Sequence, residues 1–345
     1  MNKLKIAVFG GGYWGKNLIK NFSNSGMGEV KIVCDLNQDV LSEIASQFPF
    51  VEVTSDFQRI IKDTQIDCVA IATPPSLHYP VARETLLAKK HTWVEKPLAM
   101  HIEEGEELVQ IAKNNKLVLF VDETFLYDPA LRMVKDIIDS GRIGNIYHLL
   151  FQRLGMGRVR CDSNVWWNSA PHDLSILKYL IPNTVKEITS KNFCYLQKDI
   201  ADVAWSSLEF VDGISACINL SWFYPISTAS VTVIGSNGAI HYEGRFKARK
   251  LSVYKFNIGS PPEKKVNGVP SPNFIPINAQ LEEEITDFGT LTPLEIACQH
   301  FLSCIIENKE PLSSGAKSLK VVRLMNAGEL SNQKGGIPIK MPEEL

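Results

Sequence analysis

Two hydrophobic patterns divide the chain. In the first third, short β-rich runs at 5–9, 30–34, 68–72, 92–94 and 118–121 alternate with amphipathic stretches at 14–24, 40–48, 77–89 and 102–114. The runs are apolar on both faces, as in strands covered by helices on two sides, so the alternation predicts βαβ units on a parallel sheet. Near residue 125 the pattern changes. After one more amphipathic stretch at 130–139, longer strand-like runs follow one another at 145–153, 185–196, 203–211, 214–224, 230–234 and 239–242. Between them lie turns such as Val211-Asp212-Gly213 and Ser236-Asn237-Gly238, whose Asp-Gly and Asn-Gly pairs favour hairpins. Residues 257–290 hold five prolines and little periodicity, which predicts a surface loop or arm. Helices over 293–308 and 316–330 close the chain. The expected class is α/β: a doubly wound parallel sheet over residues 1–124, then a second α+β domain over 125–345 built on a large, mostly antiparallel open sheet.

Composition narrows the function. The 345 residues exceed what one core usually fills, and 45% hydrophobic content excludes wholesale disorder. With 36 Lys+Arg against 38 Asp+Glu the net charge is −2, which gives no reason to expect a nucleic acid or an anionic membrane as partner. No apolar run is long enough for a membrane span, and Met1–Gly12 lacks the features of a signal peptide. Seven scattered cysteines with no C-x-x-C pair suggest a reduced, cytoplasmic chain with buried thiols and no metal site.

The first strand runs into Gly10-Gly11-Gly12-Tyr13-Trp14-Gly15, a G-x-G-x-x-G at 10, 12 and 15. The first glycine allows a tight strand-to-helix turn, the second lets a pyrophosphate approach the backbone, and the third lets helix and strand pack closely. The N–H groups near Tyr13 and Trp14 would then bind the anion at the helix start. Alone, such a loop also fits an ordinary glycine-rich turn. The next strand, however, ends in Asp35, 20 residues after Gly15, where an acid can accept hydrogen bonds from the adenine ribose. That charge would repel a 2′-phosphate, and Leu36-Asn37 offers no arginine to hold one, so NAD(H) is favoured over NADP(H).

Two further motifs sit at strand ends, where an open α/β sheet binds its ligand: Thr73-Pro74-Pro75 with His78, and Glu95-Lys96-Pro97. A lysine held before proline can point reproducibly. Together with the glycine loop, Trp166-Trp167-Asn168-Ser169-Ala170-Pro171-His172-Asp173 and the closing Pro311-Leu312-Ser313-Ser314-Gly315, these motifs resemble the glucose–fructose oxidoreductase/inositol dehydrogenase/MocA-like (Gfo/Idh/MocA) family over essentially the whole chain. The run from Asn164 to Asp173 looks most like the branch that oxidises nucleotide-linked amino sugars, or their uronic acids, at C3.

The resemblance implies a nicotinamide-dependent oxidation of a ring secondary alcohol, or the reverse reduction. Thr73, Pro74, His78 and Glu95 would join the cofactor site, with His78 on the nicotinamide side. Lys96 would contact both cofactor and substrate hydroxyl, His172 would move the proton, and Asn164 and Asn168 would touch substrate. A cation lowers the cost of a developing alkoxide, and a neutral imidazole can accept the proton. Pro171-His172-Asp173 reads as the opening of a helix over 173–180, whose dipole would favour a neutral His172. Two positions depart from the family pattern: Asn168 stands where an aspartate is usual, and Asp122 where relatives often have histidine.

Arg153, Arg158 and Arg160 cluster between a strand and this segment, and arginine suits bidentate capture of phosphate or carboxylate, as a nucleotide sugar would require; a solvated basic loop is the other reading. Rival functions are an inositol or hexose dehydrogenase, a keto-sugar reductase, and a non-catalytic sensor on the same fold. The aromatic and aliphatic load of strands 203–211 and 214–224, including Trp205, Leu208, Phe210, Ile218, Leu220, Trp222 and Phe223, exceeds what one face usually hides. A homodimer or homotetramer is therefore expected.

Overall fold

The computed structural model describes residues 3–157, 159–244, 249–260 and 274–342. Their contacts form two compact units: Met1–Asp128 with Leu174–Ile176 and Thr290–Ala327, and Pro129–Asp173 with Leu177–Gly289 and Gly328–Leu345.

In the first unit strands and helices alternate as the pattern predicts: β1 (Leu4–Phe9), α1 (Tyr13–Asn24), β2 (Gly28–Cys34), α2 (Gln38–Gln47), β3 (Glu52–Thr54), α3 (Phe57–Lys62), β4 (Cys68–Ile71), α4 (His78–Leu87), β5 (His91–Glu95), α5 (Ile102–Asn115) and β6 (Leu119–Asp122). All six strands are parallel, in the order β3-β2-β1-β4-β5-β6. Strand β4 is buried at every position, as it must be with helices on both sheet faces. Helix starts are set locally: the Asn37 side chain accepts the Asp39 N–H, and the Asp56 side chain accepts the Gln58 N–H. Strand order reverses between β1 and β4, so the loops leaving these two strands flank the switch point at which such sheets bind ligands.

The second unit is built on nine strands: β7 (Ile146–Met156), β8 (Val185–Phe193), β9 (Val203–Phe210), β10 (Ser215–Ser221), β11 (Phe223–Gly235), β12 (Gly238–Glu243), β13 (Lys250–Ile258), β14 (Ile277–Ile285) and β15 (Ile339–Lys340), in the order β14-β13-β12-β11-β7-β10-β9-β8-β15. Every neighbouring pair is antiparallel except β7 with β10. The mostly antiparallel sheet expected from the sequence is thus present, with α6 (Pro129–Asp139) and α7 (Val165–Leu180) in the same stretch of chain. One expectation fails. Part of 257–290, expected as a loop, is β14, paired along its length with β13; prolines 261, 262, 270 and 272 lie outside the described residues. The reason is position. As an edge strand β14 is exposed at most of its residues, so it carries no alternation for the sequence to display.

The apolar surplus of β9 and β10 is mostly accounted for within the unit. Leu208, Phe210, Ile218 and Leu220 are buried, while Trp205 and, at the start of β11, Phe223 stay 40% and 48% exposed. Trp205 lies in register between Asn219 of β10 and Lys191 of β8, so its cross-strand neighbours are polar.

Two C-terminal helices complete the fold. Helix α8 (Pro293–Glu307) opens with a reciprocal cap between Thr292 and Glu295, and α9 is Gly315–Gln333. Residues 290–327 belong to the first unit, not to the second as the sequence alone suggests. Phe301 of α8 meets Trp93 of β5 and Phe120 of β6 at ring distances of 5.6 and 5.5 Å, and those two rings stack at 4.2 Å. All three are fully buried, and each such side chain contributes roughly 2–3 kcal/mol of transfer free energy. The Val121 N–H of β6 also donates to the Ser313 carbonyl at 2.9 Å.

Candidate active site

In the first unit the glycine loop has the shape a dinucleotide needs. Gly10 turns at φ +90°, and a Cβ there would lie 2.5 Å from the Ala72 carbonyl oxygen. A Cβ on Gly15 would fall 1.9 Å from the Gly10 oxygen, so α1 can approach β1 only with glycine at that position. A Cβ on Gly12, by contrast, would meet nothing within 4 Å. Gly12 is also the N-cap of α1 and supplies no side-chain cap, which leaves the first-turn N–H groups of Tyr13 and Trp14 available to an anion. Tyr13 and Trp14 are exposed, their rings edge-to-face at 5.4 Å.

Asp35 follows β2 and is fixed by backbone. Its Oδ2 accepts the Gly11 N–H at 2.8 Å, and its Oδ1 accepts the Asn37 N–H at 2.9 Å. A carboxylate has lone pairs to spare beyond these two bonds, so it remains able to accept ribose hydroxyls. These residues fit a bound dinucleotide: an open place at Gly12 for the pyrophosphate, an uncapped helix, and an anchored acid beside the loop.

Thr73 and Pro74 lie at the end of β4, next to a short 3₁₀ turn at Pro75–Leu77. His78, expected to face the nicotinamide, is instead 1% exposed. Its Nδ1 is 2.7 Å from the Pro97 carbonyl oxygen and its Nε2 is 2.9 Å from that of Thr73. Burial pushes the imidazole below its ordinary pKa, and the neutral ring, with one N–H, donates to one of these two carbonyls, so His78 is held between the loop after β4 and the turn after β5. Lys96, the residue after β5, is partly exposed. Its neighbour Glu95 is buried and faces Asp122 of β6, its register partner.

The second unit holds the other residues. Helix α7 begins at Val165, not at 173. The Asn164 side chain accepts the Trp167 N–H at 2.9 Å, so its Oδ1 caps the helix. Pro171 lies inside the helix, and His172 is its eighth residue, about two turns from the positive end. The helix dipole therefore does not hold His172 neutral, because that field acts only over the first turn. Asn168 and His172 are four residues apart on one helix face, both partly exposed. Trp166 is fully buried, and its ring fits only because residue 328 is glycine: a Cβ there would lie 2.3 Å from the ring.

The arginines differ from expectation. Arg153 on β7 donates from Nη2 and Nε to the two oxygens of Asp173, at 2.7 and 3.3 Å, and Asp173 is 2% exposed. Arg160 makes the same fork to Asp162, at 2.6 and 2.8 Å. Arg158 lies outside the described residues. Two of the three expected phosphate ligands thus already hold carboxylates. A cavity of about 260 Å³ remains beside Arg153, lined also by Met156, Ser169, Ser221 and Trp222 among others. Sequence reasoning missed Asp173 as the partner of Arg153, and nothing in the sequence marks it. The Glu95–Asp122 contact had a signal: two acids each end neighbouring strands of a parallel sheet.

Comparison with known proteins agrees with this layout. Residues 4–123 match a model of an oxidoreductase family with an NAD-binding Rossmann fold (GFO_IDH_MocA), and residues 131–241 match the model of the GFO/IDH/MocA C-terminal domain. A levoglucosan dehydrogenase of Pseudarthrobacter phenanthrenivorans is 32% identical over 154 residues, 42% of this chain and only 40% of that enzyme. A levoglucosan dehydrogenase solved with NADH and levoglucosan superposes with a TM-score of 0.83 at 20% identity, covering 99% of this chain and 100% of that one. The WlbA dehydrogenase of Bordetella pertussis, solved with NADH and UDP-GlcNAcA, gives 0.79 at 20% identity, covering 99% and 98%. At such identities the structural likeness speaks for the fold alone.

Proposed function

Because the chain belongs to the Gfo/Idh/MocA family of NAD-binding oxidoreductases, we propose that it passes hydride between nicotinamide and a ring secondary alcohol of a sugar. The observation that carries this reading is the loop at Gly10–Gly15 with anchored Asp35, on the same edge of the sheet as Lys96. Bound NAD would supply the hydride acceptor. The chain's own residues do the rest. First-turn N–H groups of α1 hold the pyrophosphate, and Asp35 accepts the ribose hydroxyls. The Lys96 ammonium stabilises negative charge on the substrate oxygen, and His172 takes up or returns the hydroxyl proton. Asn168 hydrogen-bonds a substrate hydroxyl without adding charge.

For the substrate we favour a nucleotide-linked amino sugar or its uronic acid, a reading supported by the run from Asn164 to Asp173, which resembles that branch of the family. A free hexose or inositol is the second reading, and the engagement of Arg153 and Arg160 by carboxylates favours it. Incubation with NAD and a panel of UDP-sugars, hexoses and inositols, followed by NADH absorbance, tests both. Turnover of UDP-sugars only supports the first, turnover of free sugars only the second, and silence across the panel with NAD bound returns the sensor reading. Self-association through the sheet face bearing Trp205 is a further proposal; a monomer at micromolar concentration in sedimentation would overturn it.

A further inference from the structure

Glu95 and Asp122 are register partners at the carboxyl ends of adjacent parallel strands, so their side chains leave the sheet on the same side. They are 8% and 1% exposed. Asp122 Oδ1 accepts the Thr124 hydroxyl at 2.7 Å. Glu95 Oε1 and Asp122 Oδ2 are buried and take a hydrogen bond from no donor among the described residues. Two carboxylates so placed, away from water, repel each other and cannot both stay ionised; one proton turns the two orphaned oxygens into a donor and an acceptor. The electrostatics agree. Burial, then the Asp122 charge, pushes Glu95 well above the usual carboxylate range, and burial lifts Asp122 to about 6.

The groups facing this pair are Lys96, whose charge draws both carboxyls down, Glu123, Tyr127 and, from α8, Cys298. Glu123 is itself pushed up to about 7 by burial.

We propose that Glu95 and Asp122 hold one proton between them and act as positioning residues for Lys96, presenting a single negative charge to its amine. This rests on the reading of Lys96 as the group at the reacting hydroxyl. With one negative charge the pair and the Lys96 ammonium balance; a second would make the group net negative and oppose a developing alkoxide. The arrangement also accounts for aspartate at position 122. With Glu95 amidated, the remaining Asp122 carboxyl ionises at neutral pH and accepts from the amide, so the charge is unchanged; with Asp122 amidated, burial keeps Glu95 protonated and the charge is lost, as in the double change.

Infrared spectra of the full chain test this, recorded as a pH titration in a Glu123→Gln background so that Glu123 does not contribute. The expected result is a protonated-carboxyl C=O band at neutral pH that disappears on adding Glu95→Gln and shifts in frequency on adding Asp122→Asn, where Glu95 keeps its proton but loses its partner. In parallel, the pH profile of kcat should have the same shape in Glu95→Gln as in the parent, whatever its height. In the double variant it should be displaced by about 1–3 pH units. Absence of the band at neutral pH overturns the proposal, and so does a Glu95→Gln profile displaced as far as that of the double variant. Where Glu95→Gln fails to fold, a shift of the band in Asp122→Asn assigns it to the pair, and an unshifted band overturns the proposal. Near-normal turnover in Lys96→Ala, with the band present, would remove the role in catalysis and leave the shared proton standing, which separates the two failures.

Discussion

Replacing Arg153 by alanine separates a structural ion pair from a substrate ligand. In the native protein both oxygens of the Asp173 carboxylate are held by the Arg153 fork, with the Asp173 side chain 3% and the Arg153 side chain 23% exposed. Removing the arginine strands a charge that water reaches poorly. Breaking a buried pair in this way costs about 3–5 kcal/mol, and the partial exposure of Arg153 puts the expected figure near the lower end, about 3 kcal/mol. That is a rise of roughly 100-fold in the unfolding equilibrium constant. Urea unfolding followed by the fluorescence of Trp166, Trp167 and Trp205, all in the same unit, measures it. Asp173→Asn alone should also destabilise, and the double variant should lose less than the sum, with a coupling of about 1–3 kcal/mol. If Arg153→Ala unfolds like the parent while KM for a UDP-sugar rises tenfold or more, Arg153 is a phosphate ligand and its pairing with Asp173 contributes nothing to stability.

Asp35→Ala should weaken NAD binding by about tenfold or more, the worth of a charge-assisted hydrogen bond or two, and relax discrimination against NADP; tighter binding of NADP than NAD by the unaltered protein would contradict the role of Asp35 at the ribose. Lys96→Ala and His172→Ala should each cut turnover by about 10²–10⁴-fold while NAD still binds, and a variant with near-parental kcat removes its residue from the mechanism. Glu123, raised by burial to about 7 from an ordinary 4.5, binds its proton more tightly folded than unfolded. Its contribution to stability is therefore full below about pH 4.5 and is lost as pH rises through about 7, a change of about 3 kcal/mol that Glu123→Gln should abolish; parallel stability–pH curves for the two proteins would refute it.

What the sequence reveals depends on whether a feature is local. The alternation that builds β1 to β6 is read strand by strand, and the three glycines and the acid 20 residues beyond them lie close together; each behaves as its spacing implies. Features that depend on the fold are not legible in this way. Pro171 looks like a helix opening because proline favours first turns, yet the actual start is the Asn164 cap, and the interior proline is tolerated within a helix packed on Gly328 through Trp166. Strand β14 is invisible because an exposed edge needs no apolar alternation. The clustering of arginines suggests an anion site, but charge in a sequence carries no sign of its partner, and here Asp173, twenty positions from Arg153, is that partner. The position of His78 after β4 points to the cofactor, but its burial between two carbonyls follows from tertiary contacts alone.

The grouping of residues 290–327 with the nucleotide-binding sheet bears on how this protein is made. Strands β5 and β6 leave the ribosome about two hundred residues before Phe301, whose ring closes the cluster over Trp93 and Phe120, and before Ser313, which pairs with the backbone of β6. Until residues 290–327 are translated, the unit begun first has an open flank with two large aromatic rings at its edge. Its completion therefore waits on strands β7 to β14 of the second sheet, and a premature stop codon ahead of Phe301 would damage the nucleotide-binding unit as directly as a lesion in its own early coding region.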